Sequence, residues 1–336
     1  MMRAWRTNAT LYIAVVVLLT LAAAWVELRW RNIFACQASP SSNDYVAYCD
    51  VKHYGDYDHG AFWYALEPTI GSSVRNAEVL FLGNSRLQWA FSGTHTTDWF
   101  SSARASYYLL GFAYDENYRF ESGLLTKFAS RPKAYVIDLD GFFLPSASEP
   151  AQLVMSGGDT LRRYQDKQFR QRVQEFVCRR LARLCGHRFT FFRSRTTGQW
   201  ARNGGSFDSV PTSEVETVDE AHVEQQVRAG AEFLSRLPID RACVIFTMVP
   251  TVNTRYAEAA AIAARLHVRF VAPRLDGLRT FDGSHLDTLS AARWSRDFFR
   301  TAGPVIEGCL GQPDEKAARS RPSEALSRTY AGAQRH

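Results

Sequence analysis

Residues 9–26 read ATLYIAVVVLLTLAAAWV, without a single charge. A helix of that length covers about 27 Å at 1.5 Å per residue, close to the thickness of a bilayer's hydrocarbon core. Arg3 and Arg6 precede the run, so residues 1–8 are expected to stay on the cytoplasmic side. Trp25 and Trp30 stand where interfacial aromatics belong. A cleaved signal peptide fits the same residues, with Ala22 and Ala24 as the small residues of its cleavage site. Either reading exports residues 30 onward. No second stretch is as apolar, and the mean hydropathy of −0.25 excludes a polytopic membrane protein.

The exported part must then fold outside the cytoplasm. Its composition, 46% hydrophobic and 22% charged over 336 residues, is that of globular chains and excludes a disordered one. Net charge is +6, but all basic residues except Lys52, Lys127, Lys133, Lys167 and Lys316 are Arg, spread through the chain. They do not gather into a nucleic-acid footprint, and no nucleic-acid partner is expected. Six cysteines fit an oxidising compartment. Cys36 and Cys49 flank a Ser-rich loop and form the best pair, a closure worth about 3 kcal/mol in the chain-entropy model. In one continuous helix Cys178 and Cys185 would lie about 10 Å apart, beyond disulfide reach. They pair only if the helix ends before Cys185, which Gly186 permits. Cys243 reads as a buried thiol and Cys309 as free.

Beyond residue 76 short apolar runs alternate with helical patterns. Residues 78–82, 106–110, 134–139, 243–249 and 268–271 are continuous apolar runs closed by Gly or Pro or preceded by Arg131-Pro132. Residues 117–128, 218–237, 254–266 and 287–301 carry helical spacing. Buried strands alternating with helices predict an α/β fold, a doubly wound, mostly parallel sheet with its functional crevice at the strands' carboxyl ends. The organisation expected is a span at 9–26, an irregular juxtamembrane segment at 27–76, a core of 77–141 and 217–310, a basic α-helical or irregular insertion at 142–216, and a disordered tail at 311–336. The insertion carries a long helix over residues 159–184, with Leu161, Tyr164, Val173, Phe176, Val177, Leu181 and Leu184 on an apolar face. Its arginines read either as a solvated face or as a contact for anionic headgroups or an acidic polymer.

Chemistry concentrates at two places. The first strand runs into Gly83-Asn84-Ser85-Arg86 and then a helix. A Ser at that junction exposes its Oγ at the sheet's carboxyl edge, beside free N–H groups able to hold an oxyanion. After the last strand stands Phe281-Asp282-Gly283-Ser284-His285. In a tight turn Asp282 reaches one imidazole nitrogen of His285 and leaves the other for the serine, which needs a base to act as a nucleophile. Trp89 and Trp99 are candidates for stacking on sugar rings or for the core. Arg86 either binds an acidic substrate group or pairs with Asp140. His53, Asp56, Asp58 and His59 are metal-capable types without a metal-ligand spacing; a polar loop above Phe62-Trp63-Tyr64 accounts for them. No metal or cofactor is expected.

With these motifs the chain resembles the SGNH-hydrolase (GDSL-like) superfamily, in its membrane-anchored branch that includes alginate O-acetyltransferase and D-alanyl-lipoteichoic acid proteins. The residues that carry the resemblance are VLFLGNSR (79–86), LLGFAYDEN (109–117), AYVIDLDGFF (134–143) and FDGSHLDTLSAARWS (281–295), within residues 76–303 apart from the insertion. It implies an SGNH-hydrolase-like, flavodoxin-like fold, with Ser85 as nucleophile, His285 as base, Asp282 as its orienting carboxylate, and the N–H groups of Ser85 and Gly111 in the oxyanion hole. Asn84 replaces the usual Asp and keeps a side chain able to hold the turn. Asp140 stands where the family places an oxyanion-hole Asn, and an ionised carboxylate there would repel the oxyanion. The resemblance further implies transfer of an acyl group, most simply acetyl, to an envelope or secreted polysaccharide. A membrane-embedded acyl-donating protein would be the partner, and the setting a bacterial inner membrane with the main domain in the periplasm. Alternatives are a non-catalytic assembly or binding subunit of a polysaccharide machine, and a carbohydrate or lipid esterase.

Overall fold

The computed structural model describes residues 2–30, 34, 44–48, 56–157, 160–186, 190–203 and 208–311. In chain order the elements are α1 (Met2–Trp30), β1 (Tyr45–Tyr48), α2 (Asp56–Trp63), α3 (Pro68–Asn76), β2 (Val79–Asn84), α4 (Ser85–Phe91), α5 (Thr94–Ala103), β3 (Tyr107–Phe112), α6 (Tyr118–Phe128), β4 (Ala134–Asp138), α7 (Glu149–Met155), α8 (Leu161–Arg180), β5 (Thr190–Ser194), β6 (Trp200–Asn203), β7 (Val210–Pro211), α9 (Glu220–Arg236), β8 (Val244–Thr247), α10 (Tyr256–Arg265), β9 (Arg269–Phe270), β10 (Arg279–Thr280) and α11 (Thr288–Leu310). The stretch Ala9–Leu28 of α1 is long and apolar enough to cross a membrane, with a mean hydropathy of 2.3. Length and composition suit a membrane anchor and a signal sequence equally.

Five strands form a parallel sheet in the order β3-β2-β4-β8-β9. Strands β2, β3, β4 and β8 are buried on both faces, so alternate residues feed two separate cores. Leu80, Leu82, Tyr108, Leu110, Tyr135, Ile137 and Phe246 face one layer, packed by α2, α3, α6, α9 and α10. Val79, Phe81, Tyr107, Leu109, Val136 and Ile245 face the other, packed by α4, α5 and α11. Chain direction across the sheet reverses between β2 and β4, the place where doubly wound folds open a crevice at the strands' carboxyl ends.

The segment expected to be irregular, residues 27–76, instead contributes β1, α2 and α3 to the fold. Helix α2 is buried on all sides at Tyr57, Asp58, His59, Ala61 and Phe62, so it has no amphipathic period to read. Strand β1 pairs antiparallel with β5, which pairs with β6. The insertion thus packs onto the core. It covers the open edge of β3: the Leu109 N–H donates to the Thr197 carbonyl at 2.9 Å. The buried Arg193 guanidinium donates to the carbonyls of Leu109 (2.5 Å) and Gly111 (2.9 Å) and pairs with Asp58 at 2.9 Å. Unpaired sheet edges are hazards that proteins cover in this way.

The basic helix also departs from expectation. It ends at Arg180, and a 3₁₀ turn follows over Ala182–Leu184. The expected apolar face is split. Tyr164 is buried, but Leu161, Phe176, Leu181 and Leu184 are exposed, and Gln174 and Cys178 take the inner positions. Ending the helix early brings Cys178 and Cys185 together, bonded with Cα atoms 5.7 Å apart. Cys243 and Cys309 are not free thiols; they are bonded to each other, Cα atoms 5.8 Å apart. Helix α11 continues through Pro304 to Leu310, burying Ile306 and returning Cys309 to the start of β8. Proline costs one helical hydrogen bond there, and the apolar face beyond it offsets the loss. The expected Cys36–Cys49 pair and nearly all of the tail lie outside the described residues.

Candidate active site

Ser85 opens α4 where β2 ends. Gly83 takes φ +154°, and a Cβ at that position would come within 3.1 Å of Asp138 Cβ, so glycine lets β2 run close against β4. Asn84 caps α4: its Oδ1 accepts from the Arg86 N–H at 2.9 Å, and its Nδ2 donates to the Asp140 carbonyl at 2.8 Å. Asn84 thus fixes the turn and ties it to the loop after β4.

The loop between β10 and α11 folds around Asp282. Its Oδ1 accepts from the N–H groups of Ser284 (3.0 Å) and His285 (2.8 Å), and its Oδ2 lies 2.7 Å from His285 Nδ1. Gly283 sits at φ +85°, which closes the turn. His285 Nε2 then lies 2.8 Å from Ser85 Oγ, although 200 residues separate them. Phe281 stacks on the imidazole, with ring centroids 5.4 Å apart. Partial burial opposes ionisation of Asp282, but the hydrogen bond and charge of His285 and the two backbone N–H groups outweigh it and hold its pKa below the usual carboxylate range. The structure thus brings together Ser85, His285 and Asp282, and the chain of contacts suits proton transfer from the serine hydroxyl.

Gly111 does not offer its N–H to this site. That group donates to Gln88 Oε1 at 3.1 Å, and Gln88 Nε2 in turn donates to the Gly198 carbonyl. Gly111 lies behind α4, where a Cβ would meet the Asn84 carbonyl oxygen at 2.8 Å. The residue is required for close packing, and the donor expected from it is already engaged. The Ser85 N–H is the expected donor that remains at the start of α4.

Arg86 and Asp140 are committed to each other at 2.5 Å. Arg86 also pairs with Asp115 at 3.0 Å and donates from Nε to Ser284 Oγ at 2.8 Å. Burial disfavours the guanidinium charge, but Asp140, Asp115 and Asp138 outweigh it and raise its pKa. Arg86 is thus a clamp. It joins the Ser85 turn, the loops after β3 and β4, and the residue next to His285. Beneath the turn, Asp138 is fully buried and accepts the Val249 N–H at 3.2 Å. Burial and the Asp140 charge push its pKa up to about 8. Buried Glu121, raised by desolvation, accepts the Gly83 N–H at 3.0 Å.

Trp89 lies four residues along α4 from Ser85 and packs edge-on against Trp200 and Phe281. These three rings, with Arg202, line a cavity of about 350 Å³. Trp99 stacks on Phe299 at 4.9 Å in the second core layer. Asp58 and His59 belong to a helix and not to a loop. Asp58 holds Arg193 and the Tyr48 hydroxyl, and His59 Nε2 lies 2.7 Å from buried Glu116. His53 and the Asp56 side chain lie outside the described residues. Gln88, Asp138, Glu121 and Ser284 are the site residues that sequence reasoning missed. Their partners are distant in sequence, and nothing local marks them. Comparison of the chain with protein-family models, with curated proteins and with solved structures finds no match.

Proposed function

We propose that this chain is an exported, membrane-anchored, SGNH-like serine O-acyltransferase that moves an acyl group, most simply acetyl, onto hydroxyls of an envelope or secreted polysaccharide. The observation that carries the reading is the hydrogen-bonded series Ser85 Oγ, His285 Nε2, His285 Nδ1, Asp282 at a strand-helix junction on the sheet's carboxyl edge. In the first half-reaction Ser85 Oγ attacks the donor's carbonyl carbon and its proton passes to His285 Nε2. The oxyanion forms against the Ser85 N–H at the start of α4. The imidazolium then protonates the departing alcohol or thiol, leaving acyl-Ser85. In the second half-reaction an acceptor hydroxyl gives its proton to His285, attacks the acyl carbon, and releases Ser85, which regains the proton. Asp282 holds the imidazole's orientation and stabilises its positive form throughout. Water in place of the sugar hydroxyl makes the same site an esterase. The anchor at α1 favours a membrane-embedded donor.

A second reading is a non-catalytic binding subunit. It is favoured by the engagement of the Gly111 N–H with Gln88, since loss of one oxyanion donor costs about 10²–10³ in rate. Labelling with a fluorophosphonate probe separates the two. Under the enzyme reading the full-length protein is labelled, and its Ser85→Ala and His285→Ala variants are not. A folded parent that stays unlabelled, together with cellular function retained by Ser85→Ala, would give the binding reading precedence.

A further inference from the structure

Helix α8 carries a face that a water-soluble surface does not explain. Among the described residues outside α1, ten large apolar side chains are exposed, and five of them (Leu161, Phe169, Phe176, Leu181, Leu184) lie between residues 161 and 184. Phe169 and Phe176 are 68% and 60% exposed and two turns apart, hence on one face. Arg172 and Arg180 share that face by spacing, opposite the buried Tyr164, Gln174 and Cys178. The Arg180 guanidinium lies over the Phe176 ring, 3.8 Å from its centroid. Residues 161–184 hold eight basic residues against Asp166 and Glu175. Rings alternating with guanidinium groups suit a boundary that is apolar below and anionic above.

The position of this face adds a second, independent argument. The far end of α8 is fastened to the end of α1. Phe34 forms a small core with Cys178 and Cys185, against which Leu28 and Val177 pack. The Gly186 N–H donates to the Phe34 carbonyl at 2.7 Å, and Trp25 stacks on Phe34 at 5.4 Å. The apolar stretch of α1 ends at Leu28. A chain anchored by α1 therefore holds Phe176, Leu181 and Leu184 beside the point where the span leaves the bilayer.

We propose that α8 and its 3₁₀ turn form an interfacial footing that lies on the outer surface of the membrane crossed by α1, with the Phe and Leu side chains among the acyl-chain roots and the arginines on anionic phospholipid headgroups. The proposal rests on the anchor reading of α1, and its test separates the two. Full-length protein is placed in nanodiscs containing phosphatidylglycerol, with spin labels at Phe169→Cys, Phe176→Cys, Leu18→Cys in the span, and Arg236→Cys on α9 as an aqueous reference; the unsubstituted protein gives the background. Collision with dissolved oxygen relative to a water-soluble nickel chelate is expected to be several-fold higher at 169 and 176 than at 236. Changing Arg172, Arg179 and Arg180 to Glu is expected to erase that difference. Labels at 169 and 176 as water-exposed as 236, with Leu18 in lipid, overturn the footing and leave the anchor standing. A water-exposed Leu18 overturns the anchor itself. Protection of 169 and 176 only after a soluble acidic polysaccharide is added would overturn the lipid assignment in favour of a polymer contact.

Discussion

Asp138 makes the stability of this fold depend on pH in a direction opposite to that of most carboxylates. Folded, it titrates at about 8, because burial strips water from the charged form and Asp140 repels a second charge. Unfolded, an Asp titrates near about 3.9. Between those values the folded chain holds a proton that the unfolded chain has released, so stability falls as pH rises. The contribution is fully present below about pH 4 and is lost progressively toward pH 8, at about 1.4 kcal/mol per pH unit, or about 3 kcal/mol between pH 5 and pH 7. Asp138→Asn keeps the Oδ1 acceptor for the Val249 N–H and cannot ionise. Its advantage over the parent should therefore grow by about 3 kcal/mol across that interval. Urea unfolding of the full chain in detergent micelles, followed by tryptophan fluorescence at pH 5, 6 and 7, measures it. Glu121, also raised by burial, acts with the same sign in both proteins and cancels in the difference. A variant and parent that run parallel with pH would show that Asp138 is already ionised in the folded state at pH 5, and the argument from burial would fail.

Under the proposed mechanism, replacing Asp282 by Asn removes the charge that stabilises the imidazolium, and the rate of fluorophosphonate labelling should fall by about 10³–10⁴; a change below tenfold would remove Asp282 from that mechanism. Arg193→Met leaves Asp58 buried without its cation and should cost about 3–5 kcal/mol in urea unfolding. Adding Asp58→Asn should restore much of that loss, and a double variant no better than the single one would count against the pairing. Cys309→Ser opens a bond that closes 66 residues and should cost about 4 kcal/mol, a difference that disappears when both proteins are reduced; peptide mapping checks the bond directly. Arg86→Met should slow labelling at least tenfold while a melting curve stays cooperative, because the clamp on Ser284 is lost and the fold's two cores are not.

Strands β2, β3, β4 and β8 were readable because they are buried on both faces, so apolar runs bounded by Gly or Pro mark them. Ser85 falls at a strand-helix junction and Asp282–His285 in the loop after the last strand for the same local reasons, cap and turn chemistry. What could not be read depends on partners far away. β1 has no pattern of its own until β5 arrives, and α2 is buried all round. The resemblance assigned the Gly111 N–H to the oxyanion hole, but its acceptor, Gln88, lies on a helix whose facing side no periodicity reveals over seven residues. The Cys243–Cys309 bond required knowing that α11 passes through Pro304. Arg86 and Asp140 were read as alternatives, substrate contact or mutual pair, and the 2.5 Å contact decides for the pair.

The buried Arg193 has a consequence for the order in which the chain can fold. Asp58 precedes the guanidinium that pairs with it by 135 residues. Until residues 190–203 are made, the carbonyls of Leu109 and Gly111 and the Asp58 carboxylate lack the guanidinium that joins them, and the core around α2 is incomplete. The part of the chain made first therefore stays incompletely packed until more than half the chain has followed. Folding of such a molecule is late and collective, and a chain cut short before residue 190 should be recovered as a protease-sensitive, chaperone-bound fragment, unable to persist as a smaller stable domain.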